Sequence, residues 1–236
     1  MTQTTTAPDQ ETAELVNLMD SRAQTYGFLA RLFRIEVDQK LFDEMRAMRF
    51  PTATGNAHVD KGYELIYTYL KNGWSESILD LARDYVRVFI GHGMNGHSAA
   101  YPYESVHTSE KRLMMQEARA EVLQVYRANE LKKDQSWREG EDHIAVELEF
   151  MQIMCLRTAE SLRAGDEDGA IGLLKTQYAF VQDHLLNWVP LLVADMLHFS
   201  ETELYRGLAE LTLGFVQTEA EILEDLLQGV DEADRG

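Results

Sequence analysis

Residues 139–151 read EGEDHIAVELEFM, and the stretch they open decides the fold. From Ile144 onward Val146, Leu148, Phe150, Met151, Ile153, Met154, Cys155 and Leu156 leave little polar surface. That is the pattern of a helix surrounded by other helices, and it predicts a central helix from about Glu139 to Arg163. A helix made only for burial does not begin with Glu139, Glu141, Asp142, His143 and, a turn later, Glu147. Acids in a first turn are favoured by the positive end of the helix dipole and by unpaired amides, so capping accounts for Glu139, Glu141 and Asp142. It does not account for the histidine. A protonated ring at a helix N-terminus is unfavourable unless carboxylates offset it, so His143 is expected to pair with Asp142 or Glu147. A recognition site and a structural cap are both open at this point.

Working outward, almost every other segment carries the helical period. After a Thr-rich opening, expected to be a flexible tail over residues 1–12, Leu15, Leu18, Met19, Tyr26, Leu29 and Phe33 recur at three- and four-residue steps. Shorter helices are expected at about 38–48 and 60–71, separated by the turn-rich Phe50–Asn56. The run SESILDLARDYVRVFI from Ser75 sets Ile78, Leu81, Ala82, Tyr85, Val88 and Phe89 on one side, and GHGMNGH then breaks it. A loop of about fifteen residues follows, typical of functional loops in compact domains. Helical patterning resumes at about 109–129, and a polar link leads to the central helix. Beyond a turn at Gly165–Gly169, helices are expected at about 170–188, 190–199, 202–214 and 216–228, with Pro190 at a first turn. No segment requires a strand. The expected fold is all-α: a single domain over residues 13–236, of about ten helices around the central one.

The chain has 236 residues, 45% of them hydrophobic, a formal charge of -18 and a pI near 4.7. Phosphate contacts need clustered lysine and arginine, which 22 basic against 40 acidic residues do not supply, so nucleic acid is excluded as a partner. The excess acid either suits a cationic partner or simply keeps the protein in solution. The single cysteine, Cys155, rules out an internal disulfide framework and falls in an apolar stretch where it reads as a core residue. MTQTTTAPDQE has no basic-then-apolar pattern of a secretory signal, and no run of about 18 apolar residues could span a bilayer. A cytoplasmic location without membrane insertion is expected.

Several constellations could carry chemistry. Tyr101-Pro102-Tyr103-Glu104-Ser105 ends the long loop, where aromatics, a proline and a carboxylate can make a rigid apolar lip with one charge, or can simply pack on the core. Gly91-His92-Gly93-Met94-Asn95-Gly96 matches G-x-G-x-x-G, the basis of a nucleotide-binding alternative, but it follows a helical pattern instead of a strand. Glu104/His107 and Asp195/His198 are each spaced three apart, which leaves a di-metal carboxylate/histidine enzyme as another alternative. No nucleophile has a base in context, so neither an enzyme nor a bound cofactor is indicated.

EGEDHIAVELEFM resembles the E-P-x-D-H-x-x-x-E-L-x-F-M signature of the TorD/DmsD family of redox-enzyme maturation chaperones. YPYESV is similar to that family's P-Y-E-S-V segment, and HLLNWVP, residues 184–190, to its H-L-x-x-W-x-P element. The motifs occur in the family's order and span most of the chain. Gly140 stands where the family usually has proline, which loosens the approach to the helix. The resemblance implies a cytoplasmic chaperone that binds the twin-arginine signal peptide of a molybdopterin-dependent oxidoreductase of the dimethyl sulfoxide reductase type and assists cofactor insertion before export. A leader with paired arginines and an apolar stretch needs carboxylates beside an apolar groove. Glu104, Asp142 and Glu147 are the available carboxylates, and Tyr101, Tyr103 and Trp188 the available aromatics. His143 is cast as an orienting partner, Ser105 as part of the loop motif and Glu139 as a contact or a cap. His184 and Trp188, four apart, share a helix face and read first as a contact to a neighbouring helix. The sequence leaves open which molybdoenzyme is the client, and whether the chain is a monomer or an exchanged dimer.

Overall fold

A helix that is apolar on all sides must be covered on all sides, and the chain is arranged to do this. A computed structural model describes residues 10–73, 76–91, 98–134 and 136–233. Along them run α1 (Gln10–Arg34), α2 (Gln39–Ala47), α3 (Ala57–Lys71), α4 (Ser77–Tyr85), α5 (Glu104–Thr108), α6 (Glu117–Ala128), α7 (Ile144–Ala164), α8 (Glu167–Phe180), α9 (Leu186–Phe199) and α10 (Glu203–Ala233). A π-helical turn, Val86–Ile90, continues α4, and a second, Val181–Leu185, joins α8 to α9. Among the described residues there is no strand, only an isolated antiparallel bridge between Tyr103 and His143. The expected all-α architecture is the one observed.

α7 lies against α1 and α8, while α10 lies against α3, α8 and α9. Ile144, Leu148, Met151, Met154, Cys155 and Ala159 of α7 are fully buried, so the helix with the most continuous apolar sequence does occupy the centre. Two devices fix α1 and α3 against α10. Arg22 of α1 donates to both carboxylate oxygens of Glu219 on α10, through Nε at 3.0 Å to each and through Nη2 at 2.7 Å to Oε2. Both side chains are buried, so the pair ties the two longest helices at one register. Burial alone would lower the Arg22 pKa, but Glu219 outweighs it and holds the guanidinium charged. The second device is a close crossing of α3 and α10. A Cβ on Gly62 would sit 2.6 Å from the Leu211 amide nitrogen and 2.8 Å from the Gly207 carbonyl, and a Cβ on Gly207 would sit 2.8 Å from the Gly62 carbonyl.

Several boundaries differ from expectation, each for a tertiary reason. The central helix begins at Ile144 instead of Glu139, because His143 is drawn into extended backbone (φ -79°, ψ 134°) by its bridge to Tyr103. α10 does not break near residue 215: Gly214 is a packing glycine, not a stop, since a Cβ there would lie 2.7 Å from both Asn56 Oδ1 and the Val59 amide of α3. Pro190 lies inside α9, just past the π turn, where the irregular ladder accommodates it. The helix expected over 109–129 is shortened to α6, with residues 109–116 left as turns after the short α5. α1 begins at Gln10, inside the stretch assigned to the tail, and residues 1–9 lie outside the described residues.

Gly207→Ala separates packing from propensity. Alanine gains about 1 kcal/mol over glycine in a helix interior, whereas forcing a methyl onto backbone costs about 1–3 kcal/mol. Net loss of unfolding free energy in urea is expected, and a stabilised variant would show that the crossing can relax. Arg22→Met alone is expected to cost about 3–5 kcal/mol by stranding Glu219, and adding Glu219→Leu to restore most of it.

Candidate functional site

The bridge that shortens α7 also builds the site. The Glu104 amide donates to the Asp142 carbonyl at 2.9 Å, and the Ile144 amide donates to the Pro102 carbonyl at 2.9 Å, pinning the end of the long loop to the start of the central helix. Asp142 Oδ2 accepts the Ser105 amide at 3.1 Å, so a side chain from one segment caps the first turn of α5 in the other. Its second oxygen, Oδ1, is buried and has no hydrogen-bond partner among the described residues. A Cβ on Gly140 would come within 2.7 Å of that oxygen, so this residue sits directly against the Asp142 carboxylate.

His143 does not pair with a carboxylate as expected. Its Nδ1 accepts the Ala145 amide at 3.0 Å, making the ring the N-cap of α7 and placing the proton of the neutral form on Nε2. Edge-to-face packing against Tyr103 at 5.0 Å and Trp137 at 4.9 Å encloses it. Burial lowers its pKa to about 3, so the ring is neutral at physiological pH and free of the dipole penalty a cation would meet.

One turn on, Glu147 is fully buried and its Oε2 accepts the indole proton of Trp188 at 3.0 Å. Glu104, 3% exposed, faces His184 Nδ1 at 3.2 and 3.1 Å. Burial first, then the charges of Glu104 and Asp142, push the Glu147 carboxyl well above the ordinary carboxylate range. A side-chain hydrogen bond to Glu104, which needs the protonated form, raises it further. Three carboxyl groups from α5, the segment before α7 and α7 itself therefore form one buried cluster. Tyr126 of α6 borders it, its hydroxyl pushed up by burial and by Glu147, Glu104 and Asp142.

The other predicted residues form the margin. Tyr103 donates to Glu139, which is half-buried, and Tyr101 pairs its hydroxyl with Ser98 Oγ at 2.9 Å. Glu141 is held by Arg119 at 2.5 Å. Tyr103, Ser105 and Trp188 are buried, so the apolar groove expected of Tyr103 and Trp188 is closed in this form. His184, read as a helix contact, is the partner of Glu104, and Trp137, which no motif marked, closes over His143. The proposed metal pairs are redistributed: Glu104 meets His184, and His107 stacks on Trp188 at 5.5 Å with Nδ1 4.0 Å from Asp195. Among the described residues no group of three or more His, Cys, Asp or Glu is disposed to hold a metal. Of the G-x-G-x-x-G segment, residues 92–96 lie outside the described residues, and Gly91 follows a helical turn, not a strand.

A family model described as "Nitrate reductase delta subunit" matches residues 55–194, more than half of the chain, and the chain belongs to that family. It is similar to "Chaperone protein TorD" of Vibrio cholerae, 25% identical over 221 residues covering 91% of this chain and 97% of the relative. The protein of the same name from Shewanella pealeana is 26% identical over 236 residues, covering 94% and 98%. That from Psychrobacter sp. is 24% identical over 216 residues, covering 88% and 94%. The chain is thus a chaperone of the TorD/DmsD type, the class that serves molybdoenzyme maturation. Among the described residues no helix is long and apolar enough to cross a membrane.

Two buried groups give opposite pH signatures. His143 titrates at about 3 when folded against 6.5 ordinarily, so the unfolded chain takes the proton first and stability falls as pH drops from about 6.5 towards 3. His143→Asn keeps a capping acceptor and is expected to flatten that limb. Glu147 binds its proton more tightly when folded, so its contribution is lost as pH rises above the ordinary value of 4.5. Glu147→Gln, which retains an oxygen for Trp188 and offers an amide to Glu104, is expected to be neutral or stabilising at about pH 8. Urea unfolding across pH reads both.

Proposed function

We propose that this chaperone binds, in the cytoplasm, the twin-arginine leader of a molybdopterin-dependent oxidoreductase of the dimethyl sulfoxide reductase type, and assists cofactor insertion and folding before export. Glu104, Asp142 and Glu147 take the guanidinium groups. The observation that carries this reading is the buried Asp142 Oδ1, which has no hydrogen-bond partner among the described residues, beside two further buried carboxyl groups, Glu104 and Glu147. A guanidinium is a planar group that only donates, with five N–H in a fork that matches a carboxylate, and so supplies the donor that Asp142 Oδ1 lacks and a positive charge that can replace the proton on Glu147.

Access requires the Pro102–Ser105 segment to part from Asp142–Ile144, breaking the two backbone hydrogen bonds and the Ser105 cap. Each of these hydrogen bonds costs about 0.5–1.5 kcal/mol net to break. Charge-assisted, bidentate bonds at about 1.5–3 kcal/mol each offset this. Tyr101, Tyr103, Glu104 and Ser105 move with the lifted segment, while His143 caps α7 and Trp188 holds Glu147 from the other side. Half-buried Glu139 and Glu141 form an acidic margin, and the net charge of -18 steers a cationic peptide towards the protein. An arriving guanidinium favours the ionised form of Glu147, so binding releases a proton and tightens as pH rises.

Calorimetric titration with the leader peptide of a molybdoenzyme encoded beside this gene tests the reading. Micromolar or tighter binding is expected, weakened at least tenfold, about 1.4 kcal/mol, by a twin-lysine leader and by Asp142→Asn or Glu104→Gln. Equal binding of the arginine and lysine peptides, or no effect of either substitution, would overturn it.

A further inference from the structure

The leader assigned above has an apolar part as well as arginines, and the aromatics that the sequence suggested for it are buried: Tyr103 is 7% exposed and Trp188 0%. An apolar surface does lie next to the carboxylates. In the turn segment that leaves α5, Leu113, Met114 and Met115 are consecutive and 55%, 41% and 62% exposed. Arg112 (φ 49°) and Met115 (φ 61°) both occupy the left-handed region, which residues with a Cβ adopt only under constraint. The end of the segment is anchored: the Gln116 amide donates to Ser105 Oγ at 3.1 Å, and the Ser105 amide donates to Asp142 Oδ2 at 3.1 Å. One residue, Ser105, therefore separates the apolar segment from the carboxylate. On the helix packed against α5, Leu191 is 50% exposed. It lies three residues after Trp188 and four before Asp195, the two residues that meet His107 of α5, and so shares their helix face.

We infer that Leu113, Met114 and Met115, with Leu191 across α5, form the apolar half of the leader site and seat the hydrophobic stretch that follows the twin arginines. This rests on the arginine reading of the carboxylates and adds the surface that reads the rest of the peptide. The occupant follows from continuity: a chain with an arginine at Asp142 advances about 3.3 Å per residue and reaches this segment within its next few residues. Two methionines suit it to apolar stretches of varied sequence, because an unbranched, polarizable side chain repacks around different partners. Anchoring through Ser105 also means that the segment moves with α5 when the bridge opens, so the two halves of the site form together.

The test is a double-mutant cycle by calorimetry on the full chain. Wild type and the triple variant Leu113→Ser, Met114→Ser, Met115→Ser are each titrated with a twin-arginine leader and with the same leader whose apolar stretch is replaced by serine and glycine. The triple variant is expected to bind the intact leader at least tenfold more weakly, to match wild type on the serine-substituted leader, and to keep the preference for arginine over lysine. Leu191→Ser, on a different helix, is expected to act in the same direction, which guards against a folding defect in the triple variant. If the variants bind the intact leader as wild type does while arginine is still preferred over lysine, the inference fails and the arginine reading stands. If wild type binds no leader, both fall. Loss of self-association or of binding to anionic vesicles, with leader affinity unchanged, would assign the patch to a second copy or a lipid surface and overturn the proposal.

Discussion

Asp142 joins two parts of the chain that nothing in local sequence brings together. Its carbonyl accepts the Glu104 amide and its side chain accepts the Ser105 amide, so one residue terminates the long loop, starts α5 and fixes that helix against the head of α7. The rest of the site depends on this. With α5 held, Glu104 points at His184, Glu104 and Glu147 come within reach of each other, and His107 stacks on Trp188. With the bridge formed, His143 is extended and its ring is free to cap α7. The central helix is apolar for most of its length, and this contact is what makes its first turn chemical.

The electrostatics of that turn follow from burial. Three carboxylates in a low-dielectric space cannot all be charged without a cation, and the protein resolves the conflict by keeping a proton on Glu147 and leaving His143 neutral. Elsewhere the same conflict is resolved the other way: Arg22 and Glu219 are equally buried and remain a charged pair, because each supplies what the other needs. The contrast separates a finished contact from an unfinished one. The Arg22–Glu219 pair has its guanidinium and serves the fold; around Asp142 no cation is supplied, and Asp142 Oδ1 is left without a hydrogen-bond partner among the described residues.

Much of this was legible in sequence where the physics is local. Three- and four-residue spacing marks α1 and continuous apolarity marks α7, and the DH motif, with the loop and HLLNWVP motifs, points to Asp142, Glu104 and Trp188. What could not be read depends on distant partners. A glycine that ends a helix and one that lets another helix approach are identical in sequence, so the expected break near residue 215 is not distinguishable from the packing contact that Gly214 makes inside α10. The start of α7 was placed early because acids at 139–142 fit a first turn, whereas the Tyr103–His143 bridge pulls them out of it. His143 invited an ion pair because its neighbours are acids, and burial, invisible to composition, left it an uncharged cap. The partnership of Glu104 with His184 and the exposure of Leu113–Met115 likewise arise only once α5 is docked.

The most direct test of the account is the ionisation of Glu147, read by carbon-13 NMR of the carboxyl groups in protein labelled at glutamate and assigned with Glu147→Gln. At about pH 7 a protonated Glu147 carboxyl is expected in the free protein and an ionised one with the twin-arginine leader bound, because the guanidinium replaces the proton. A carboxyl already ionised in the free protein, or one whose state does not change with the leader, would contradict the claim that these buried acids are the recognition centre.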